Sequence, residues 1–390
     1  MRAWALAGLI VWAGCSPGLG ASTAQADPDA EVLGKDAGVF IIESTTSLDA
    51  GALESILPGT HRRVRTEGLG LGADMQLRRV FGPDGREHIF TLHAALGTVV
   101  ERERDGTIRA RYEVWDKAKN PSVANPLDVA YASDGSLWVT RHGERSLVVV
   151  APDGAQSTID LSAFADDDGI PDMAAIAIVD DVAYVALRRL EKGFGTRKNS
   201  STIVAIDVRT RVATPFLELP VKDPSAVFVR RGGSLFLSCI GGPRGDFLSA
   251  DPDRSAGLVR LDLAQKKASV VLDVEAAGGF VTAFELVDDN TGYAIVAEFT
   301  PENATSLVRF DPSAGKVTAT WARTASGYKL WDLASFVRQD GERLILVADR
   351  TEAAPGLRVL SAIDGARVGF IPTRLNPIQQ IVLRSPDGVL

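Results

Sequence analysis

An all-β chain, built as a ring of four-stranded antiparallel sheets, is the fold that residues 37–390 predict, and three observations carry it. Short apolar segments of four to seven residues, rich in Val, Ile, Leu, Phe and Tyr, recur between Gly, Asp, Pro and Asn turns. Stretches with a 3.6-residue period are almost absent. Third, aspartates recur at Asp105, Asp153, Asp207, Asp262, Asp311 and Asp364, spaced by 48, 54, 55, 49 and 53 residues, which sets a repeat near the upper end of propeller periods.

The clearest repeat starts at Asn125. Residues 125–131 form one strand, Asp134-Gly135 a turn and 136–140 the next strand; 146–150 form the third, Asp153-Gly154 the turn and 157–161 the fourth. Four strands joined by tight turns make one blade. Second strands are expected at 38–43, 89–92, 182–187, 234–239, 292–297 and 343–348, and third strands at 98–101, 202–206, 257–261, 306–310 and 357–360. The recurring aspartates read as turn residues, because an Asp carboxylate bonds the backbone just beyond it.

Six blades fill residues 74–371 and leave a remnant at each end. Asn376-Pro377-Ile378-Gln379-Gln380-Ile381-Val382 matches Asn125-Pro126-Leu127-Asp128-Val129 as a first strand, while 38–57 supplies second and third strands. Joined, they give a seventh blade that closes the ring and removes an open sheet edge. The fold class is therefore an all-β, seven-bladed β-propeller closed by its N- and C-terminal strands. On these repeats the chain resembles the YVTN and NHL-like propellers of bacterial surface proteins, a resemblance that implies the fold and leaves the activity open.

The N-terminus carries a different signal. Arg2 precedes an apolar stretch from Ala3 to Ala13 of signal-peptide length, too short to span a bilayer. It runs into Ala13-Gly14-Cys15, which resembles the lipobox of bacterial lipoproteins, with Trp12 where that family usually has Leu. The resemblance implies a signal peptide over residues 1–14, a lipid on Cys15 and, through Ser16, the outer membrane. Cleavage after Ala24-Gln25-Ala26 is the competing expectation and would give a secreted or periplasmic protein. Residues 16–36 are rich in Ser, Gly, Ala and Asp, so 15–36 reads as a flexible tether. Cys239, in an apolar run, is then the other cysteine and has no partner for a disulfide.

Charge narrows the partners. Lys and Arg total 42 against 50 Asp and Glu, a net charge of −8, which points away from nucleic acid. The run His61-Arg62-Arg63-Val64-Arg65 reads as a solvated loop or strand edge. Nothing calls for a second copy, and a monomer is expected.

First strands line the channel of such a ring, so Asp128, Asp172, Asp223, Asp332 and Asn376, with Glu285, are expected near it. An acidic rim there suits a cation or a basic peptide. Asp166-Asp167-Asp168-Gly169-Ile170-Pro171-Asp172 resembles the calcium-binding repeats of thrombospondin type 3, which implies Asp166, Asp168 and Asp172 as Ca²⁺ ligands. Propeller lactonases similar to regucalcin hold a divalent metal in the channel, and the segment 136–144 with His142 and Glu144 faintly echoes streptogramin-lyase propellers; both imply a hydrolase or lyase as the alternative function. His88 and His93 lie an odd number of residues apart on one strand and so face opposite sides. No HExxH, Walker loop, Gly-x-Ser-x-Gly or CxxC motif occurs. The excursions 188–201 and 241–256 interrupt neighbouring blades after their second strands, on one face of the disc, where loops carry recognition. The expected function is an envelope binding or assembly module for a protein, peptide or glycan.

Overall fold

A computed structural model describes residues 25–26, 28–33, 38–45, 51–57, 62–67, 75–103, 105–190, 200–243, 252–253, 255–299, 304–351 and 353–384. Seven sheets of four antiparallel strands follow one another around a ring. Blade 1 spans 75–113, blade 2 126–160, blade 3 173–218, blade 4 229–273, blade 5 279–323 and blade 6 330–372. Blade 7 takes its first strand, Asn376–Arg384, from the C-terminus and its others, Gly38–Ser44, Gly51–Ile56 and Arg62–Glu67, from the N-terminus. The strand Asn376–Arg384 pairs antiparallel with Gly38–Ser44, so the seam is a continuous ladder.

The turns explain why these segments become hairpins. At Asp84-Gly85, Asp105-Gly106, Asp134-Gly135, Asp153-Gly154 and Asp340-Gly341 the same five-residue loop recurs, with the glycine at φ between 75° and 87°. That left-handed residue gives the bulge that closes such a hairpin, and glycine adopts it at no steric cost. The six recurring aspartates all accept backbone N–H bonds two or three residues on: Asp105 from Thr107, Asp153 from Ala155, Asp207 from Thr210, Asp262 from Gln265, Asp311 from Ser313 and Asp364 from Ala366. They are turn residues, as expected.

Packing confirms closure independently of the ladder. Adjacent blades share a separate apolar core at every one of the seven interfaces, for example Trp138, Leu147, Val185 and Ile206 between blades 2 and 3, and Phe40, Leu53, Leu77 and Ile89 between blades 7 and 1. Large side chains such as Trp138, Phe90 and Phe310 are fully buried, each worth roughly 1.5–3 kcal/mol on burial.

Two expectations change at the N-terminal side. Within the span read as tether, Gln25–Ala26 pairs with Arg62 and Arg63 as a fifth strand of blade 7, and the 3-10 helix Pro28–Leu33 buries Ala30 and Leu33 in the core between blades 6 and 7. Cys15 and the apolar run before it lie outside the described residues. Arg63 and Arg65, read as solvated, belong to a paired strand instead. Arg65 Nη1 binds Glu43 at 2.5 Å and Glu54 at 2.8 Å, and both carboxylates are fully buried. The one guanidinium supplies donors where water cannot reach and offsets a single negative charge, so burial and Glu54 lift Glu43 to about 8.

Candidate functional site: the connector face of blades 2 to 4

In each blade the strand 1–2 and 3–4 turns lie at one end, so the strand 2–3 loops and the connectors between blades share the other face. First strands begin at that connector face. Asn125 and Asp172 stand immediately ahead of first strands, and Asp223 ahead of the isolated Pro224–Cys239 bridge that precedes the first strand of blade 4, with φ of 40°, 51° and 56°. Their carbonyls accept from His142, Arg188 and Ile240, the residues just past the neighbouring second strand. Gly278 occupies the same position in blade 5 with φ 76°. Asn, Asp and Gly are the residues that tolerate this conformation, so backbone geometry alone accounts for part of the acidic rim.

Side chains link these positions across three blades. His142 Nδ1 stands 3.6 Å from Asp172 Oδ1, beyond hydrogen-bond length. Burial, then the nearby Arg188, pushes His142 down to about 3, so it is a neutral imidazole beside a carboxyl and not an ion pair. Asp172 Oδ2 accepts from the Leu190 amide at 2.7 Å. Burial, aided by Asp168 and Asp166, nevertheless lifts its carboxyl to about 7, against the pull of that amide and of Arg188. Arg188 Nε donates to the Pro224 carbonyl at 2.9 Å and stands 3.4 Å from Asp223 Oδ1. Ser201 Oγ ties the arc together by accepting from the Asp223 amide and donating to the Arg188 carbonyl. Glu144, 4% exposed, takes Lys119 Nζ on Oε2 at 2.7 Å, while Oε1 is buried without a partner.

The two long excursions leave from the second-strand ends beside this arc. Residues 191–199 and 244–251 lie outside the described residues. Of their flanks, Gly242–Pro243 pairs antiparallel with Pro252–Asp253 as a separate two-stranded sheet. Cys239, beneath them, is a buried free thiol whose pKa burial raises.

The channel is arranged differently from the expectation of converging acids. Asp128 and Asp332 are each the third residue of a first strand, deeper than Asp172 and Asp223. Arg78, on the first strand of blade 1, occupies the space between. Its Nε donates to Asp128 Oδ1 at 2.7 Å, Nη2 to the carbonyls of Leu127 at 2.5 Å and Ala226 at 2.9 Å, and Nη1 to Leu77 O at 3.0 Å. Ala226 belongs to blade 4, so one guanidinium joins blades 1, 2 and 4, and Asp332 of blade 6 lies within its electrostatic reach. Asp128 also accepts from the Val129 and Ile176 amides, at 3.0 and 2.8 Å. Burial outweighs these donors and raises its carboxyl to about 6. Glu285 is raised to about 7, mainly by burial, and accepts from Ser335 Oγ. Asn376, opposite Ser44, opens the first strand of blade 7 and does not join the arc of blades 2 to 4.

The acidic loop places its carboxylates on backbone. Asp166 Oδ1 accepts from the Asp168 amide and Asp168 Oδ1 from the Ile170 amide, and Asp172 is held by Leu190. No group of three or more His, Cys, Asp or Glu side chains converges as a metal site among the described residues. As placed, Asp166, Asp168 and Asp172 do not fit a shared Ca²⁺, which needs six to eight oxygens around one point.

Sequence reasoning missed Arg78 and the inward role of Arg188. A charge in the apolar run Met75–Phe81 was the available signal for Arg78.

No protein-family model matches the chain, and no curated protein matches it. Among solved structures, a 6-phosphogluconolactonase candidate from Bacteroides fragilis is 12% identical, with 91% of this chain and all 100% of that chain covered at a TM-score of 0.53. A virginiamycin B lyase from Staphylococcus aureus is 12% identical over 80% of this chain and 92% of that chain, at a TM-score of 0.50. The dihydro-heme d1 dehydrogenase NirN is also 12% identical, over 93% of this chain and 76% of that chain, at a TM-score of 0.49. At such identity the likeness is one of fold, and the fold that the first two have in common with this chain is the propeller.

Proposed function

We propose that the protein is a binding or assembly module of the bacterial cell envelope, held to a membrane through a lipid on Cys15, that takes a protein, peptide or glycan on the connector face over blades 2 to 4. The observation that carries this reading is the division of labour between channel and face. In the channel, Asp128 is committed to Arg78 and two amides, and the Arg78 guanidinium links three blades. On the face, a hydrogen-bonded polar arc from His142 to Asp223 lies beside the strand ends from which two long excursions of the sequence depart. Rigid scaffolds with long loops are the usual setting for recognition. The resemblance to YVTN and NHL-like surface propellers agrees with such a role.

A metal-dependent hydrolase or lyase in the channel is the second reading, and it needs acids there that are free to coordinate. Asp128 is not one of them. His142 and Glu144 lie on the connector face, where a lyase-like reaction would have to take place. The binding reading is tested by deleting residues 191–199 and measuring capture of envelope components by the folded variant; capture equal to that of the wild type would overturn it. Replacing Cys15 with Ser should release the protein from membranes, and unchanged membrane retention would remove the anchor from the proposal.

A further inference from the structure

Blade 1 turns a cluster of donors toward blade 7 that meets no blade 7 acid among the described residues. Alternation along the second strand puts Ile89, Thr91 and His93 on one face, and Ile89 belongs to the core shared with Phe40, Ile42 and Leu53 of blade 7. The register extends that face outward: Arg102 lies opposite Ile89, Val100 opposite Thr91, Thr98 opposite His93, and Arg111 opposite Val100. Blade 7 sends its acids the other way. Glu43 and Glu54 alternate with its blade 1 face and meet Arg65 on the side of blade 6. Glu113, opposite Thr98 at the exposed rim, is bound by Lys117.

Arg102 is 5% exposed, yet both of its hydrogen bonds go to neutral acceptors: Nε to Thr91 Oγ1 at 3.1 Å and Nη1 to the Gly106 carbonyl at 3.2 Å. A buried guanidinium without an anion is costly. Burial, and then the like charge of Arg111, lowers it only to about 10, so it stays charged at neutral pH. Thr91 relays the arrangement to His93. Thr91 Oγ1, which accepts from Arg102, stands 2.9 Å from His93 Nε2, and in the tautomer that the site requires its own hydrogen goes to Nε2. Nε2 is then the acceptor of a neutral ring, and Nδ1 carries the hydrogen. His93 is 5% exposed, and Nδ1 is buried with no acceptor.

We propose that this face of blade 1 is a binding site for a small oxyanion, a carboxylate or phosphate group, held by the guanidinium of Arg102, the Nδ1–H of His93 and, at the rim, Arg111. The three donors differ in exposure, which gives the site a direction. Arg111 is exposed and would meet the anion first, while Arg102 and His93 would fix it inside. An oxyanion supplies both missing elements at once, a counter-charge for Arg102 and an acceptor for His93.

The test uses the full chain labelled with ¹⁵N-histidine and titrated at constant ionic strength with inorganic phosphate, acetate or chloride. The His93 Nδ1 signal should move and saturate with phosphate, acetate or both, which also tells the two oxyanion classes apart, while chloride leaves it in place. Arg102→Met should weaken the response at least tenfold, and Arg111→Gln should weaken it less. Arg111→Gln, at an exposed position, carries the comparison should Arg102→Met not fold. No movement with either oxyanion, an equal response to chloride, or a titration unchanged in the variants would overturn the proposal.

Discussion

Removing the charge of Arg78 should cost more than any other single change in the channel. In Arg78→Met the aliphatic stem is kept and the donated bonds to Asp128, Leu127, Ala226, Leu77 and Gln76 are lost. Asp128, 4% exposed, would keep only the Val129 and Ile176 amides. Breaking a buried pair from one side costs about 3–5 kcal/mol, because the surviving charge stays desolvated. The loss should depend on pH. Asp128 already sits near 6 with Arg78 present, and without it the carboxyl must rise further. A carboxyl raised above its unfolded value is stabilising while protonated and loses that contribution as pH climbs through its folded pKa. Arg78→Met should therefore be much less stable than the wild type at pH 8 and closer to it at pH 5. The double variant Arg78→Met/Asp128→Asn, which removes both charges, should regain most of the loss. Calorimetric unfolding at the two pH values measures all three. A single variant within about 1 kcal/mol of wild type at pH 8, well below the range for a broken buried pair, or a double variant no better than the single one, would refute the reasoning.

The seam predicts a second pH effect of the same sign. Glu43 is lifted to about 8 by burial first and by Glu54 second, against Arg65; wild-type unfolding free energy should fall as pH rises from 5 to 8.5, by on the order of 1.4 kcal/mol per unit of raised pKa, with the melting temperature following it, and Glu43→Gln should flatten that slope. Deleting residues 376–384 takes the first strand out of blade 7 and exposes Phe40 and Ile42, so the truncated chain should lose cooperative unfolding, as circular dichroism melts would record. Gly292→Ala places a methyl 2.4 Å from the Phe310 ring in the core between blades 4 and 5 and should cost about 1–3 kcal/mol in denaturant titrations.

Much of this architecture is legible in the sequence because the blade is a local object. The strands Val182–Leu187 and Ser234–Cys239 begin and end where alternation and flanking turns place them, and Asp-Gly turns announce the hairpins. The seventh blade is legible from the likeness of residues 376–382 to 125–129, although its halves lie more than three hundred residues apart. The site is less so. A bulge at Leu127 displaces Asp128 from the rim into the channel, and such bulges carry no strong residue signature. Arg78 resembles any charge at a strand edge until the ring brings Asp128 and Ala226 to it. The docking of Pro28–Leu33 rests on Ala30, Val32 and Leu33 in a polar stretch, too few to register as a pattern.

The central claim is that the connector face over blades 2 to 4 recognises the partner while the channel is structural. A photo-reactive side chain at Arg189, beside the arc, compared with one at Asp153, in a turn on the opposite face, tests it in intact envelopes. The account predicts a discrete crosslinked product from position 189 and none from 153; crosslinking from 153 alone, or equal products from both, would contradict it.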